Sequence, residues 1–418
     1  MKYNTNYDVI VCGGGPSGCC AAVAAARAGV KTLLIEATGA PGGMGTMGMV
    51  SAFAPFTDGE KPIYRSLPVE VLNRYRQRVG IPEYQWDWVK ISPEDLKRVY
   101  DCMLDESGVD IIYQSIVCDA ETKDGKITDI TVAGKNGLTK YGAKVYIDCT
   151  GDGDLATYSG VPYEYGEDGE VQSASLCFAV SNIHTDKIDR KINSNFNDGI
   201  WPEVIADGKY PLVCRHFIPA AFGDTIIVNG GHLCDVATDD AEKLSRAYTL
   251  GRETAEQYHR ALKEYMPEAF GDSYLVTTAP LMGIRETRRI KGRYTLTLED
   301  YAARKSFDDE IARNSYWLDC HPSGKTNNHS EIRKFDNYKK GDSHGIPFRC
   351  LLPINIDNLV AAGRCISVER IVLASTRVMP NCLATGEAAG TAAALAVKRG
   401  TDVCLISGAE VRKIIESK

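Results

Sequence analysis

Twelve residues near the N-terminus, Tyr7 to Gly18, constrain this chain more than any other stretch. Tyr7 to Cys12 (YDVIVC) is a short apolar run with β-branched residues. It is followed at once by Gly13-Gly14-Gly15-Pro16-Ser17-Gly18 and an Ala-rich stretch closed by Gly29, which predicts a strand, a glycine turn and a helix. Val30 to Ile35 (VKTLLI) reads as the next strand and ends at Glu36, the spacing of a complete βαβ unit. In such a unit Gly13 permits the tight turn, Gly15 lets the backbone approach a pyrophosphate, and Gly18 lets the helix pack close against the strand. The N–H groups and dipole at the helix start favour negative charge. Glu36 is placed to accept hydrogen bonds from ribose hydroxyls, and its charge would repel a 2′-phosphate. Nucleotide binding on a parallel α/β layer is the expectation.

Size and composition narrow the rest. A chain of 418 residues with 44% hydrophobic content exceeds the length at which one core stops growing, so two cores or one core with large insertions are expected. The net charge of -7 and the lack of a Lys/Arg-rich run argue against a nucleic-acid partner. Met1 to Asn6 is a short polar lead without the features of a signal peptide, and no apolar run is long enough to span a bilayer. A cytoplasmic protein with no membrane partner is therefore expected. The 14 cysteines are scattered apart from Cys19-Cys20 and form no C-x-x-C, which reads as reduced thiols without an iron–sulfur cluster or a metal site.

Three further stretches separate FAD from NAD. After Glu36 the chain does not continue as a regular βαβ series but enters Thr38-Gly39-Ala40-Pro41-Gly42-Gly43-Met44-Gly45-Thr46-Met47-Gly48, a glycine-dense loop whose N–H groups can reach a ligand. Val145 to Asp148 reads as an apolar strand ending in the turn Cys149-Thr150-Gly151-Asp152-Gly153-Asp154; the spacing lacks the later ligands of a calcium loop. Far downstream, Asn358 to Ala362 reads as a buried strand followed by Gly363-Arg364, and a small-residue helix follows around Leu383 to Leu395. Small residues let that helix approach a neighbour or a ligand closely, and its N-terminus favours negative charge on a flavin edge.

The stretches YDVIVCGGGPSG, IDCTGDGDLA, GIRETRRIKGRYTLTLED, HGIPFRCLLP and NLVAAGRCIS with STRVMPNCLATGEAAGTAAALA span nearly the whole chain. Together they resemble the FAD-dependent oxidoreductase family related to the flavoprotein subunits of fumarate reductase and succinate dehydrogenase. The resemblance implies an α/β fold, a Rossmann-like FAD/NAD(P)-binding domain with an inserted α+β substrate domain. It implies noncovalent FAD held by Gly13, Gly15, Pro16, Ser17 and Gly18, by Glu36 and Ala37, and by Gly42, Gly43, Met44 and Thr46. Thr150, Gly151, Asp152, Gly363, Arg364, Gly386 and Ala389 complete the expected cofactor set. One departure is Ser367-Val368-Glu369-Arg370, where family members often carry a histidine.

Residues 1–160 are expected to form the first part of the FAD-binding domain, with a β-meander between Val109 and Ile147. Residues 161–343 form an inserted substrate or cap domain, and 344–418 return to the FAD-binding domain. A helix is predicted from Ser92-Pro93-Glu94-Asp95, with Ser92 as its cap. Flavin does the redox work, so the protein must orient a substrate and handle one proton. Arg285, with Arg288 or Arg289, could clamp a carboxylate or sugar hydroxyls while Glu286 fixes an arginine, although an ion-pair network would use the same residues. His344 is a candidate acid or base facing the cleft, and Arg377 a candidate for binding an anionic substrate or the flavin carbonyl; His216 and His232 have no distinguishing spacing. The expected function is hydride transfer between flavin N5 and a small polar substrate. A structural or nonredox FAD, or an electron-transfer flavin subunit of a larger complex, are the alternatives, and homo-oligomerisation stays open.

Overall fold

The computed structural model describes residues 5–167, 169–188, 199–215, 218–323, 335 and 338–418. The leading strand β1 (Asn6–Cys12) runs parallel to β2 (Thr32–Ile35) on one side and to the second half of β6 (Gly137–Asp148) on the other. The helix α1 (Pro16–Arg27) connects β1 to β2, and β3 (Asp110–Ile112) extends the parallel layer beyond β2. The first half of β6 pairs antiparallel with β5 (Lys126–Gly134), which pairs with β4 (Ile116–Lys123). The hairpin between β4 and β5 turns at Asp124 and Gly125, both at positive φ, the geometry that a two-residue turn of this kind requires. A short strand, Leu359–Ala361, adds to β6 in parallel and completes a seven-stranded sheet.

The alternation of side chains along these strands builds two cores. Val9, Val11, Leu34, Val145, Ile147 and Val360 face one, and Ile10, Leu33, Ile35, Tyr146 and Leu359 face the other. The first core is covered by α1 and by the helix Met379–Arg399, and both are made of small residues for a geometric reason. A Cβ on Gly386 would lie 2.1 Å from the Ser17 carbonyl oxygen, and one on Gly390 would lie 2.1 Å from that of Ala21. Both contacts advance by four residues in the same direction, so the two helices run side by side with their N-termini at the same end. The same core takes in α2 (Ser66–Val79) and α3 (Pro93–Glu106). Ser92 does precede α3, but its hydroxyl donates to the Asp95 carboxylate (2.7 Å) and makes no side-chain cap bond to the backbone.

Between β6 and Leu359–Ala361 the chain builds a separate four-stranded antiparallel sheet in the order Tyr274–Thr278, Phe178–Ser181, Thr225–Asn229, Ile218–Phe222. The long helix Ala241–Tyr265, capped by the Asp240 carboxylate on the N–H groups of Glu242 and Lys243, lays Ala255, Tyr258, Ala261 and Leu262 on this sheet. Two short ladders tie the chain together, Tyr163–Tyr165 with Arg288–Ile290 and Glu310–Asn314 with His344–Pro347. All 14 cysteines are free, and among the described residues no helix is long and apolar enough to cross a membrane.

Candidate functional site

Register brings the glycine turn, the acid and the two downstream turns to one edge. Cys12 pairs with Ile35 and with Asp148, and Asp148 pairs with Ala361, so Gly13, Glu36, Cys149 and Ala362 leave the sheet at the same level. From β1 the chain crosses to β2 on one side while β6 lies on the other, and the carboxyl ends of strands at such a reversal form a crevice. Two glycines here are demanded by the fold itself. A Cβ on Gly13 (φ +94°) would sit 2.4 Å from the Cys149 carbonyl oxygen, and one on Gly18 would sit 1.8 Å from that of Gly13. Gly15 is different: a Cβ there would meet no atom beyond its chain neighbours within 4 Å. It leaves open the start of α1, which no side chain caps, and a pyrophosphate fits such a cradle of N–H groups and helix dipole.

Glu36 lies where β2 ends. Its two carboxylate oxygens accept the N–H groups of Gly14 and Thr38, each at 2.6 Å, which fixes the carboxylate beside the glycine turn. Ala37 beside it is exposed. The second glycine loop closes on the first: Gly42 N–H donates to the Gly14 carbonyl (2.7 Å), and a Cβ on Gly43 would lie 3.0 Å from the Gly15 Cα. Thr46 spends its hydroxyl inside this loop on the Pro41 carbonyl (2.7 Å), while Met44 is partly exposed. Pro16, Thr150, Gly151, Asp152 and Arg364 are also partly exposed at this edge, whereas Ser17 and Gly363 are buried. Asp148 is buried beneath it and shapes the Thr150 turn by accepting the N–H groups of Thr150 and Ala156. Arg364 is committed to Asp152 (2.6 Å) and the Thr287 hydroxyl (2.6 Å) and so stitches the two downstream turns together. Gly386 and Ala389 do not reach this edge. They lie in the buried body of their helix, Gly386 against α1, so their small size serves helix packing and the cofactor contact expected of them is corrected.

The path continues from the second loop. A Cβ on Gly45 would meet Met379 Sδ at 3.1 Å, so the loop presses on the first turn of the Met379–Arg399 helix, and Met47 accepts the N–H of Leu281 (3.1 Å). Just before that helix stands Arg377, and four residues beyond Leu281 stands Arg285. Both charges act on Asp319. Arg377 Nη2 donates to the Asp319 carbonyl (2.8 Å) and lies 3.5 Å from its carboxylate. Arg285, 8% exposed, donates one N–H to the Ser173 carbonyl (2.7 Å) and has no carboxylate within ion-pair distance among the described residues. Burial, the Arg377 guanidinium and the Arg215 guanidinium push Arg285 down to about 9. A guanidinium keeps its proton in ordinary buffers, so the charge stays in a site where burial first, and the neighbouring arginines second, disfavour it, and a bound anion would offset both.

Asp319 opposes these charges: burial works to raise its carboxyl, but His321, Arg377 and Arg285 hold it below the usual range. His321 Nε2 lies 3.4 Å from Asp319, and its Nδ1 lies 3.0 Å from His232 Nε2 and 3.2 Å from Arg215 Nη1. Burial and then Arg285 push His321 well below its ordinary value, outweighing the Asp319 carboxylate beside its Nε2, so it stands as a neutral imidazole. His321 is tied to the opposite wall by its N–H to Gln172 Oε1 (3.0 Å), and Ser173 N–H donates to the Pro322 carbonyl (3.0 Å).

Of the residues singled out in the sequence, Arg285 and Arg377 are therefore brought together and their neighbours are not. Glu286 is fully buried and accepts from Arg289, Arg370 and the Gln172 N–H, while Arg288 pairs with Asp154 (2.8 Å). The expectation that His344 faces the cleft is corrected: it has no exposed surface, its Nδ1 contacts the Tyr338 hydroxyl, and its ring packs on Tyr301. Burial first, then Arg313 and Arg304, push it down to about 3, so it stays neutral. Asp319, His321, Arg215 and His232 were missed; the run Tyr316-Trp317-Leu318-Asp319-Cys320-His321, dense in aromatic and polar groups, is the signal that marks two of them. His216 lies outside the described residues.

A family model described as FAD dependent oxidoreductase matches residues 8–415. Among solved structures, p-nitrophenol 4-monooxygenase from Pseudomonas putida aligns with a TM-score of 0.50 and 10% identity over 99% of this chain and 87% of that one. A geranylgeranyl bacteriochlorophyll reductase-like protein from Thermoplasma acidophilum aligns with a TM-score of 0.48 and 12% identity over 98% of this chain and 91% of that one. Anhydrotetracycline hydroxylase from Streptomyces rimosus aligns with a TM-score of 0.49 and 11% identity over 98% and 67%. The first of these likenesses speaks to a shared fold, the FAD/NAD(P)-binding Rossmann type. No curated protein sequence gave a match.

Proposed function

The chain belongs to the FAD-dependent oxidoreductase family, and on that premise we propose that it oxidises or reduces a small carboxylate-bearing substrate held by Arg285 and Arg377. In this reading residues 1–160 and 344–418 bind noncovalent FAD, with the pyrophosphate at Gly13 to Gly18 and Gly42-Gly43, and the adenosine ribose at Glu36. When bound, FAD supplies the two-electron acceptor or donor. Residues 161–343 contribute the facing wall through Ser173, Arg285 and Asp319.

The observation that carries the proposal is the excess of buried cation over anion where the cofactor edge ends. Arg377 and His321 share the carboxylate of Asp319, while Arg285, set beside Arg377, has no carboxylate within ion-pair distance among the described residues. A substrate carboxylate would compensate that charge and make charge-assisted hydrogen bonds to two guanidiniums in fixed positions. Its adjoining carbon is thereby oriented, and the buried walls exclude water from it. Asp319 positions Arg377 through both its carbonyl and its carboxylate.

The test is anaerobic titration of the FAD-loaded protein with 2-hydroxy acids and their amides, with enoates tried against the dithionite-reduced form. Carboxylates should bleach or restore the flavin band and amides should not. Arg285→Ala should raise the acid concentration needed by about 10- to 100-fold, the range for one lost charge-assisted contact. Equal response to acids and amides, or none to any acid, overturns the reading.

A further inference from the structure

We propose that the substrate is an aryl carboxylate, with its ring on an aromatic wall formed by Tyr316, Trp317 and Trp88; this rests on the anion site proposed above. Tyr316 is the hinge between the two parts. Its phenol lies among Asp319, Arg377 and Arg285, and its ring stacks on Trp317 at 4.3 Å with 23° between the planes. Trp88 joins from another part of the chain, 5.5 Å from Trp317 and 6.3 Å from Tyr316.

Exposure grades along this wall. Tyr316 is 8% exposed at the charged end, whereas Trp317 is 40% and Trp88 46% exposed. A single surface indole needs no explanation, but two that meet at a tilted 40°, next to a tyrosine that reaches an under-compensated arginine pair, form an apolar and a charged subsite in sequence. Trp88 is also held at φ +54°, a conformation costly for a bulky side chain. The backbone around it is locked: Val89 is fully buried and accepts the Phe53 N–H (2.9 Å), and Ile91 N–H donates to Ser51 (2.9 Å). The strained turn thus keeps the indole out of the core and beside Trp317. A flat ring carried by a carboxylate matches both subsites at once, since aromatic rings prefer stacked or edge-on neighbours and the guanidiniums take the charge.

Equilibrium binding of phenylacetate, cyclohexylacetate and gluconate to the FAD-loaded protein tests this, read by tryptophan fluorescence and by the flavin difference spectrum. Phenylacetate should bind tightest, about fivefold better than the equally bulky cyclohexylacetate, the scale of one aromatic contact. Trp317→Ala should abolish that preference and Trp317→Phe should keep it. A preference that survives Trp317→Ala, or gluconate as the tightest ligand, overturns the aryl assignment. Arg285→Ala should weaken all three acids; if it leaves phenylacetate unchanged, the underlying anion site fails instead.

Discussion

Gly386→Ala tests whether the cofactor edge depends on how closely two helices approach. The added Cβ would lie 2.1 Å from the Ser17 carbonyl oxygen and 2.7 Å from its carbonyl carbon and Cα, whereas real Cβ atoms do not come within 3.0 Å. The obstacle is backbone on a buried helix, so no side chain can swing aside and the helices must part by about 1 Å. Overpacking of this severity costs about 3 kcal/mol, and replacing Gly by Ala inside a helix returns about 1 kcal/mol, for a net loss of about 2 kcal/mol. Gly390→Ala meets the Ala21 carbonyl at the same 2.1 Å and should cost the same. The separation that admits one methyl admits the other, while the propensity gain is collected twice. The double variant should therefore be no less stable than either single one, far from the additive loss of about 4 kcal/mol. Urea unfolding of the FAD-free proteins measures this. Since Ser17 is the second residue of α1, the same shift displaces the glycine turn, and FAD affinity should fall about tenfold in each single variant. Additive losses, or a neutral Gly386→Ala with full FAD content, would refute the close-packing argument.

Two other outcomes follow from the site and its surroundings. Glu36→Ala removes the acceptor of both the Gly14 and Thr38 N–H groups and the expected ribose contact, so the FAD dissociation constant should rise about 10- to 100-fold; fluorescence titration with an unchanged constant would exclude Glu36 from the site. His344 titrates near 6.5 in the unfolded chain but only near 3 in the folded one, because burial and the Arg313 and Arg304 charges disfavour its proton. Its contribution to stability is thus complete above pH 6.5 and lost progressively as the pH falls toward 3. At pH 5 the loss amounts to about 2 kcal/mol, and His344→Gln should flatten the decline in urea stability between pH 7.5 and 5 by that amount. Parallel declines in both proteins would show that the histidine is not buried neutral.

The parts of this molecule that could be read in advance are those whose physics is local. The βαβ unit announces itself because the strand, the tight turn and the close helix each demand a residue type at a fixed spacing, and Gly13 and Gly18 meet backbone atoms that nothing but glycine would admit. The helix Pro93–Glu106 was equally legible from the run Ser92-Pro93-Glu94-Asp95 that opens it. The role of Gly386 was not, because a small residue permits close approach without saying to what, and only the parallel run against α1 identifies backbone as the neighbour. The same limit governs the charged cluster. Arg285 and Glu286 are adjacent in sequence, yet the chain turns them to opposite surroundings: Glu286 is sealed between Arg289 and Arg370, and Arg285 is left facing Arg377. Asp319 and His321 join them only because the segment from Asn314 to His321 is bound along Arg370 to Arg377, by Asn314 on the Ser375 carbonyl, Ser375 on the Tyr316 carbonyl and Arg377 on the Asp319 carbonyl. Those are side-chain to backbone bonds between distant stretches and leave no period to detect. The consequence reaches the chemistry. The histidine that stood out by its position, His344, is sealed in the core, and the imidazoles that share the arginine cluster, His321 and His232, were indistinguishable from surface residues until Asp319 was placed beside the first and the first beside the second.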